Sequence, residues 1–210
     1  FRDEDLRADR QPEFTQVDME MSFVEQEDIW EHLENLFKHI YKCCKGEDIG
    51  YDFPRITWTE AMDKYGSDKP DIRFDLSIVD LTDIARDCSF AVFRKVCDGG
   101  GVVRAINAKG CAAFSRTEIE KLTKNAISYG AKGMAWIAYR EDGEIYSILT
   151  KYFDEKEMKN LLSAMNAMPG DFILFCADKL DIVRKTLGNL RLDIADMLGL
   201  RDKNKYAFLF

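Results

Sequence analysis

Phe1-Arg2-Asp3-Glu4-Asp5-Leu6-Arg7-Ala8-Asp9-Arg10-Gln11-Pro12-Glu13-Phe14-Thr15-Gln16-Val17-Asp18 opens the chain with densely mixed charges and then changes to alternation. Pro12 has no N–H to give to a strand ladder and marks the exit of a loop. From Phe14 to Phe23, Thr15, Val17, Met19 and Met21 fall on one side, and Gln16, Asp18 and Glu20 on the other. That is the period of a strand with one polar face. The stretch predicts a strand end, a loop and a returning strand. Arg2 can grip a carboxylate or phosphate with two parallel N–H bonds. Glu4 can take a metal or an amine, and Asp18 an ammonium group. A solvated sheet edge would alternate in the same way, and Arg7, Asp9 and Arg10 can also be read as a surface ion-pair network, which contributes little. The charged loop beside the polar face favours a site for a small charged ligand.

The surrounding chain bounds this reading. Its 210 residues, 46% hydrophobic, suffice for one large or two modest cores. No apolar run is long enough to span a bilayer, so no membrane partner is expected. Cys43, Cys44, Cys88, Cys97, Cys111 and Cys176 form no C-x-x-C pair, which predicts reduced thiols in a cytoplasmic setting. His32 and His39 flank a helical apolar stripe and are expected on its solvated side, so no zinc site is predicted. The net charge of −8 argues against nonspecific nucleic-acid binding, DNA included. Residues 1–72 carry 9 Lys/Arg against 19 Asp/Glu, whereas 73–205 carry 21 against 19. This step from acidic to near-neutral predicts a domain boundary at 72/73.

Periodicity and caps predict the elements. Glu25 to Cys44 reads as a helix with Ile29, Leu33, Leu36, Phe37 and Ile40 on one face, closed by Gly46. A strand at 55–58 leads to a helix capped by Thr59 and stopped by Gly66, then a turn at 67–70. Thr82 to Val96 is helical, in one or two pieces. Gly99-Gly100-Gly101 turns into a strand over 102–108, a setting that favours a turn over a phosphate cradle. Ser115-Arg116-Thr117-Glu118 is a capping box opening a helix that ends near Gly130. Strands at 134–139 and 144–148 are joined by Asp142-Gly143. A helix over 155–165, an apolar strand at 172–177 and a helix over 181–198 interrupted at Gly188 complete an α+β pattern. Trp136, Phe172 and Phe175 read as core.

The run FRDEDLRADRQPEFTQVD resembles motif 2 of the bacterial-type aspartyl-tRNA synthetases, a class II family. FPRITW at 53–58 and YGSDKPDIRF at 65–74 resemble stretches that follow motif 2 there. GAKGMAW at 130–136 and GDFILF at 170–175 resemble the family's inserted domain, called GAD, which is shared with the B subunit of the tRNA-dependent amidotransferase. The resemblance covers essentially the whole chain. It implies a partial class II antiparallel-sheet catalytic core at 1–72 and an inserted α+β GAD-like domain at 73–205. Residues 206–210 would begin the strand that returns to the catalytic domain.

The implied chemistry is activation of L-aspartate with ATP and Mg2+ to aspartyl-adenylate, then transfer to the 3′ end of tRNA-Asp, with tRNA-Asn left open as a second acceptor. Arg2 matches the catalytic arginine that touches both carboxylate and α-phosphate. Asp3, Glu4 and Gln11 match ATP-binding positions, and Gln16 and Asp18 match the strand that meets the aspartate ammonium. Asp5 and Arg7 match positions near the tRNA acceptor end. The complete enzyme would be a homodimer. Motif 3, the first motif and the anticodon-binding barrel are not in this sequence, so the chain is expected to be a piece inactive by itself. The alternative is a GAD module that binds tRNA or a protein without catalysis, or a spacer.

Overall fold

The computed structural model describes residues 1–3, 5 and 10–210. Two compact units divide it, Phe1–Phe53 with Phe210 and Pro54–Leu209. The charge step at 72/73 falls inside the second unit.

In the first unit, α1 spans Gln26–Lys45 and ends on Gly46 in the left-handed region. A capping box of Glu25 and Asp28 opens it. Its apolar stripe packs only in part: Ile29 and Leu33 are half-buried, while Leu36, Phe37 and Ile40 are exposed. His32 and His39 are exposed. The strand expected from Phe14 to Phe23 is not formed. The segment is exposed, and no ladder is found for it among the described residues. Alternation shows which faces a strand would have, but a strand exists only where a neighbour takes its N–H and C=O groups.

The second unit is built on one antiparallel sheet in the order β1-β2-β5-β3-β4. Its strands are β1 Ile78–Asp80, β2 Val102–Ala108, β3 Ala135–Tyr139, β4 Ile145–Tyr146 and β5 Phe172–Asp178. The expected α+β content is present. Central β5 pairs with β2, Ala105 opposite Phe175, and with β3, Trp136 opposite Leu174. Helices cover both faces, which is why 172–176 is continuously apolar rather than alternating. Phe172, Leu174 and Cys176 face the layer of α5 (Arg116–Tyr129) and α7 (Leu180–Met197). Ile173 and Phe175 face α3 (Thr82–Asp87), α4 (Ala91–Asp98) and α6 (Glu155–Ala164). Phe172 and Phe175 are core, as expected, each contributing about 1.5–3 kcal/mol by burial.

Four local expectations are corrected. α2 spans Trp58–Tyr65 and is capped by Thr57, whose Oγ1 accepts from Glu60 N at 3.1 Å. Thr59 is one residue inside it, and no strand forms at 55–58. β4 is shorter than expected because Ser147 leaves the strand. Its hydroxyl donates to Trp136 O at 2.6 Å and accepts from Leu149 N at 3.0 Å, starting a 3-10 turn over Ile148–Lys151. The helical reading of 82–96 holds, in two pieces, α3 and α4. α7 runs unbroken through Gly188.

Gly188 is there for close approach. A Cβ on it would lie 2.8 Å from Gly66 O, 2.9 Å from Tyr65 O and 3.0 Å from Gly66 Cα. Gly66, the left-handed C-cap of α2, needs glycine for its own φ of 69°. The two glycines let α2 end directly against α7. We expect Gly188→Ala to destabilise the chain by about 1–3 kcal/mol, even though alanine is the better helix former. Urea unfolding of the purified chain checks this. A gain in stability would show that the contact relaxes without strain.

Arg191 of α7 pins the segment after α2. Only 1% exposed, it stacks between the rings of Phe74 at 4.1 Å and Tyr65 at 4.8 Å. Its Nη2 donates to the carbonyls of Asp71 at 2.7 Å and Phe74 at 3.0 Å. Beside it, Arg73 pairs with Asp71 through two bonds of 2.6 and 2.9 Å. The Arg73 guanidinium holds the Asp71 carboxyl down at about 2. A carboxyl lowered by folding contributes stability that is fully present above its unfolded value of about 3.9 and is lost as pH falls through the folded one. Asp71→Asn is expected to be less stable than the parent at neutral pH. The gap should shrink by about 2 kcal/mol between roughly pH 5 and pH 2. Denaturation midpoints across that range test it, and a constant gap would remove the carboxylate from the account.

Candidate functional site

At the start of the chain, Arg2 and Pro12 meet. Arg2 N donates to Pro12 O at 3.0 Å, and the Arg2 guanidinium lies 5.6 Å from the centre of the Phe14 ring. Pro12 lacks a donor but keeps its acceptor, so it can take this bond without entering a sheet. The bond brings Arg2 beside the start of the polar segment. Asp3, Asp5, Gln11, Gln16 and Asp18 are all exposed. Gln16 and Asp18 lie on the irregular stretch beyond Phe14. Glu4 and Arg7 lie outside the described residues.

The second unit contains polar clusters that sequence spacing did not reveal. Asp63 of α2 accepts from Arg104 of β2 at 2.6 Å and from Arg184 of α7 at 2.7 and 3.0 Å, and Arg104 also reaches Asp80 at 3.1 Å. Burial opposes the Asp63 charge, but the two guanidiniums prevail and hold its carboxyl below the ordinary value. Asp171, 4% exposed, accepts from Gly110 N, Met168 N and Asn107 Nδ2, each at 3.0 Å, with Lys109 Nζ at 3.4 Å. These partners outweigh its desolvation and lower its carboxyl too. Each cluster joins residues more than forty positions apart in the chain, which explains why spacing could not show it. In both clusters the central carboxylate is satisfied from within, and both read as structural.

A groove of about 730 Å³ lies between α5 and the β3–β4 edge. Phe114, Trp136 and Tyr146 line it with the small side chains Ala112, Ala113 and Ala138. Trp136 is half-buried rather than core. Its ring stacks on Phe172 at 5.7 Å and meets Tyr146 at 5.5 Å. Arg116, Lys124 and Arg140 also line the groove, against one carboxylate, Glu120.

A family model for tRNA synthetases class II (D, K and N) matches residues 1–210, and the chain belongs to that family. Its curated relatives are more particular. The chain is 47% identical over 210 residues to the aspartate–tRNA(Asp/Asn) ligase of Desulfotalea psychrophila, covering all of this chain and 35% of that protein. It is 49% identical over 210 residues to that of Lachnoclostridium phytofermentans, again covering 100% and 35%. It is 51% identical over 211 residues to the aspartate–tRNA ligase of Macrococcus caseolyticus, covering 100% and 36%. The chain thus spans about a third of the length of these relatives.

Proposed function

We propose that this chain is the segment of an aspartate–tRNA ligase that holds ATP and aspartate through its opening loop and carries the inserted GAD-like domain behind it. The observation that carries the reading is identity of 47–51% sustained across the whole chain with proteins named for that activity. The bond between Arg2 N and Pro12 O supports it, because it holds Arg2 beside Phe14 and the polar stretch that follows. In this reading residues 1–72 belong to the catalytic domain, 73–205 form the insertion and 206–210 lead back. The last residue supports the return: the Phe210 ring packs on Trp30 and Phe53 of the first unit, at 6.2 and 5.7 Å.

In the reaction a carboxylate oxygen of aspartate attacks the α-phosphorus of ATP in line and pyrophosphate leaves. The tRNA 3′-terminal hydroxyl then attacks the acyl carbon and AMP leaves. No protein nucleophile is needed, so the protein aligns two anions and offsets developing charge. Arg2 bridges carboxylate and α-phosphate. Asp3, Glu4 and Gln11 line the nucleotide, Asp18 takes the substrate ammonium beside Gln16, and Asp5 and Arg7 approach the tRNA end. Mg2+ would accompany ATP. Among the described residues no three His, Cys, Asp or Glu side chains gather closely enough to hold a metal ion. The complete enzyme would be a cytoplasmic homodimer. No described helix is long and apolar enough to cross a membrane.

The test is amino-acid-dependent ATP–pyrophosphate exchange by the full-length protein that contains this chain. Aspartate is expected to support exchange, with lysine and asparagine giving background. Exchange driven by lysine or asparagine instead overturns the assignment within the family. The 210-residue piece alone is expected to give background with all three.

A further inference from the structure

The groove between α5 and the β3–β4 edge plays no part in the reaction above. It is open because the helices on that face leave the sheet edge partly uncovered. α7 packs on β2 and β5 and α5 packs on α7, while β3 continues outward to the two-residue β4. Native sheet edges are usually blunted by charge or covered by a helix or loop. Here it presents aromatic rings instead. Trp136 rests on Phe172, which is fully buried, so its ring is held from below by core packing. Tyr146 is 56% exposed beside it, and Phe114 packs edge-on against Phe172 at 5.4 Å.

The charge around these rings is equally uneven in a chain whose net charge is −8. Arg116 pairs with Glu120 at 2.8 Å, and Arg140 pairs with Glu144 at 2.7 Å while lying 5.0 Å over the Tyr146 ring. Lys124 is exposed, with no ion pair found for it among the described residues. Exposed pairs of this kind are weak and yield readily to a stronger anion. A planar aromatic surface with cations at its rim matches a ligand that is itself planar at one end and anionic at the other. We propose that this groove binds a nucleotide, its base against Trp136 and Tyr146 and its phosphate at Arg116, Lys124 and Arg140. The same chemistry is offered by a free nucleotide and by an unpaired nucleotide of single-stranded RNA. The inference does not rest on the aspartate-ligase assignment.

The test is a titration of the ¹⁵N-labelled 210-residue chain, read at the indole N–H of Trp136 and assigned from the Trp136→Phe variant. This readout separates the groove from any nucleotide bound by the opening loop, and the Trp30 and Trp58 signals report that the fold is intact. AMP or a five-nucleotide single-stranded RNA is expected to shift the Trp136 signal, and inorganic phosphate alone is not. Tyr146→Ala should weaken the effect about tenfold. Arg116→Glu and Lys124→Glu should each weaken it and lower the slope of log affinity against log salt by about one. Comparable shifts with AMP and RNA identify a free nucleotide as sufficient, and shifts with RNA alone identify the strand. The proposal fails if neither ligand moves Trp136, if the charge-reversed variants bind like the parent, or if an acidic tyrosine-containing peptide moves Trp136 where both nucleotides do not.

Discussion

Asp171→Ala is expected to lower the unfolding free energy of the chain by about 3–5 kcal/mol, the range for removing one partner from a buried charged cluster. The carboxylate is the common acceptor of Gly110 N, Met168 N and Asn107 Nδ2. It ties the turn after β2 to the loop that leads into β5. Without it, two backbone amides and a side-chain amide face a small apolar methyl. Each buried donor left unmade costs about 1–3 kcal/mol. Asn107 has no slack, because its Oδ1 is buried without a partner and its Nδ2 already serves Met165 O at 3.2 Å. Lys109 keeps Asn166 O at 2.6 Å and should survive the change. Asp171→Asn retains one acceptor but turns an amide donor toward other donors, so it should fall between parent and alanine variant. Urea unfolding of the three proteins decides. A loss under about 1 kcal/mol for Asp171→Ala would mean that water takes the carboxylate's place.

Arg2→Ala in the full-length protein should reduce aspartate-dependent ATP–pyrophosphate exchange by about 10²- to 10³-fold, the usual effect of removing one preorganised group aimed at developing charge. The prediction rests on the proposed function. The geometry makes the variant informative, because the bond to Pro12 comes from the Arg2 backbone N–H and not from its side chain. That bond should therefore persist in the alanine variant while the guanidinium is lost. Because that group is proposed to act on charge that forms during the reaction, the loss should appear mainly in kcat, with smaller changes in KM for ATP and aspartate. Arg2→Lys keeps the charge but not the two-pronged geometry, and should recover only part of the rate. Unchanged exchange in Arg2→Ala would remove this residue from the mechanism.

Much of the second unit was legible from local chemistry. The Ser115–Glu118 capping box and the glycine at 130 placed α5, and the apolar run at 172–177 placed the central strand. Errors arose where a local signal had two readings. Thr57 and Thr59 are both good caps, but only Thr57 has an acidic residue three positions on, the spacing of a capping box. Gly188 resembled a helix breaker, yet it is the point where α7 meets Gly66. Trp136 resembled core because strand alternation does not report how far the covering helices extend.

For the candidate site, residue types and order were readable directly: an arginine, a run of carboxylates, a proline exit and an alternating polar face. The roles proposed for them came from resemblance across the whole chain; the family match and the relatives bear out the family. The ladder expected after Phe14 was not formed, because pairing depends on a neighbour that alternation cannot supply.

By itself, the sequence determined the family, most of the helices and the apolar strand that proves to lie at the centre of the sheet. These follow from caps, periodicity and motif order, all carried by near neighbours in the chain. Only the tertiary structure decided the rest. It joined Asp63 to Arg104 and Arg184, gathered the donors around Asp171, explained glycine at 188 and left aromatic rings among cations at the sheet edge. Those features depend on which distant segments meet and how closely, and no local pattern encodes that distance.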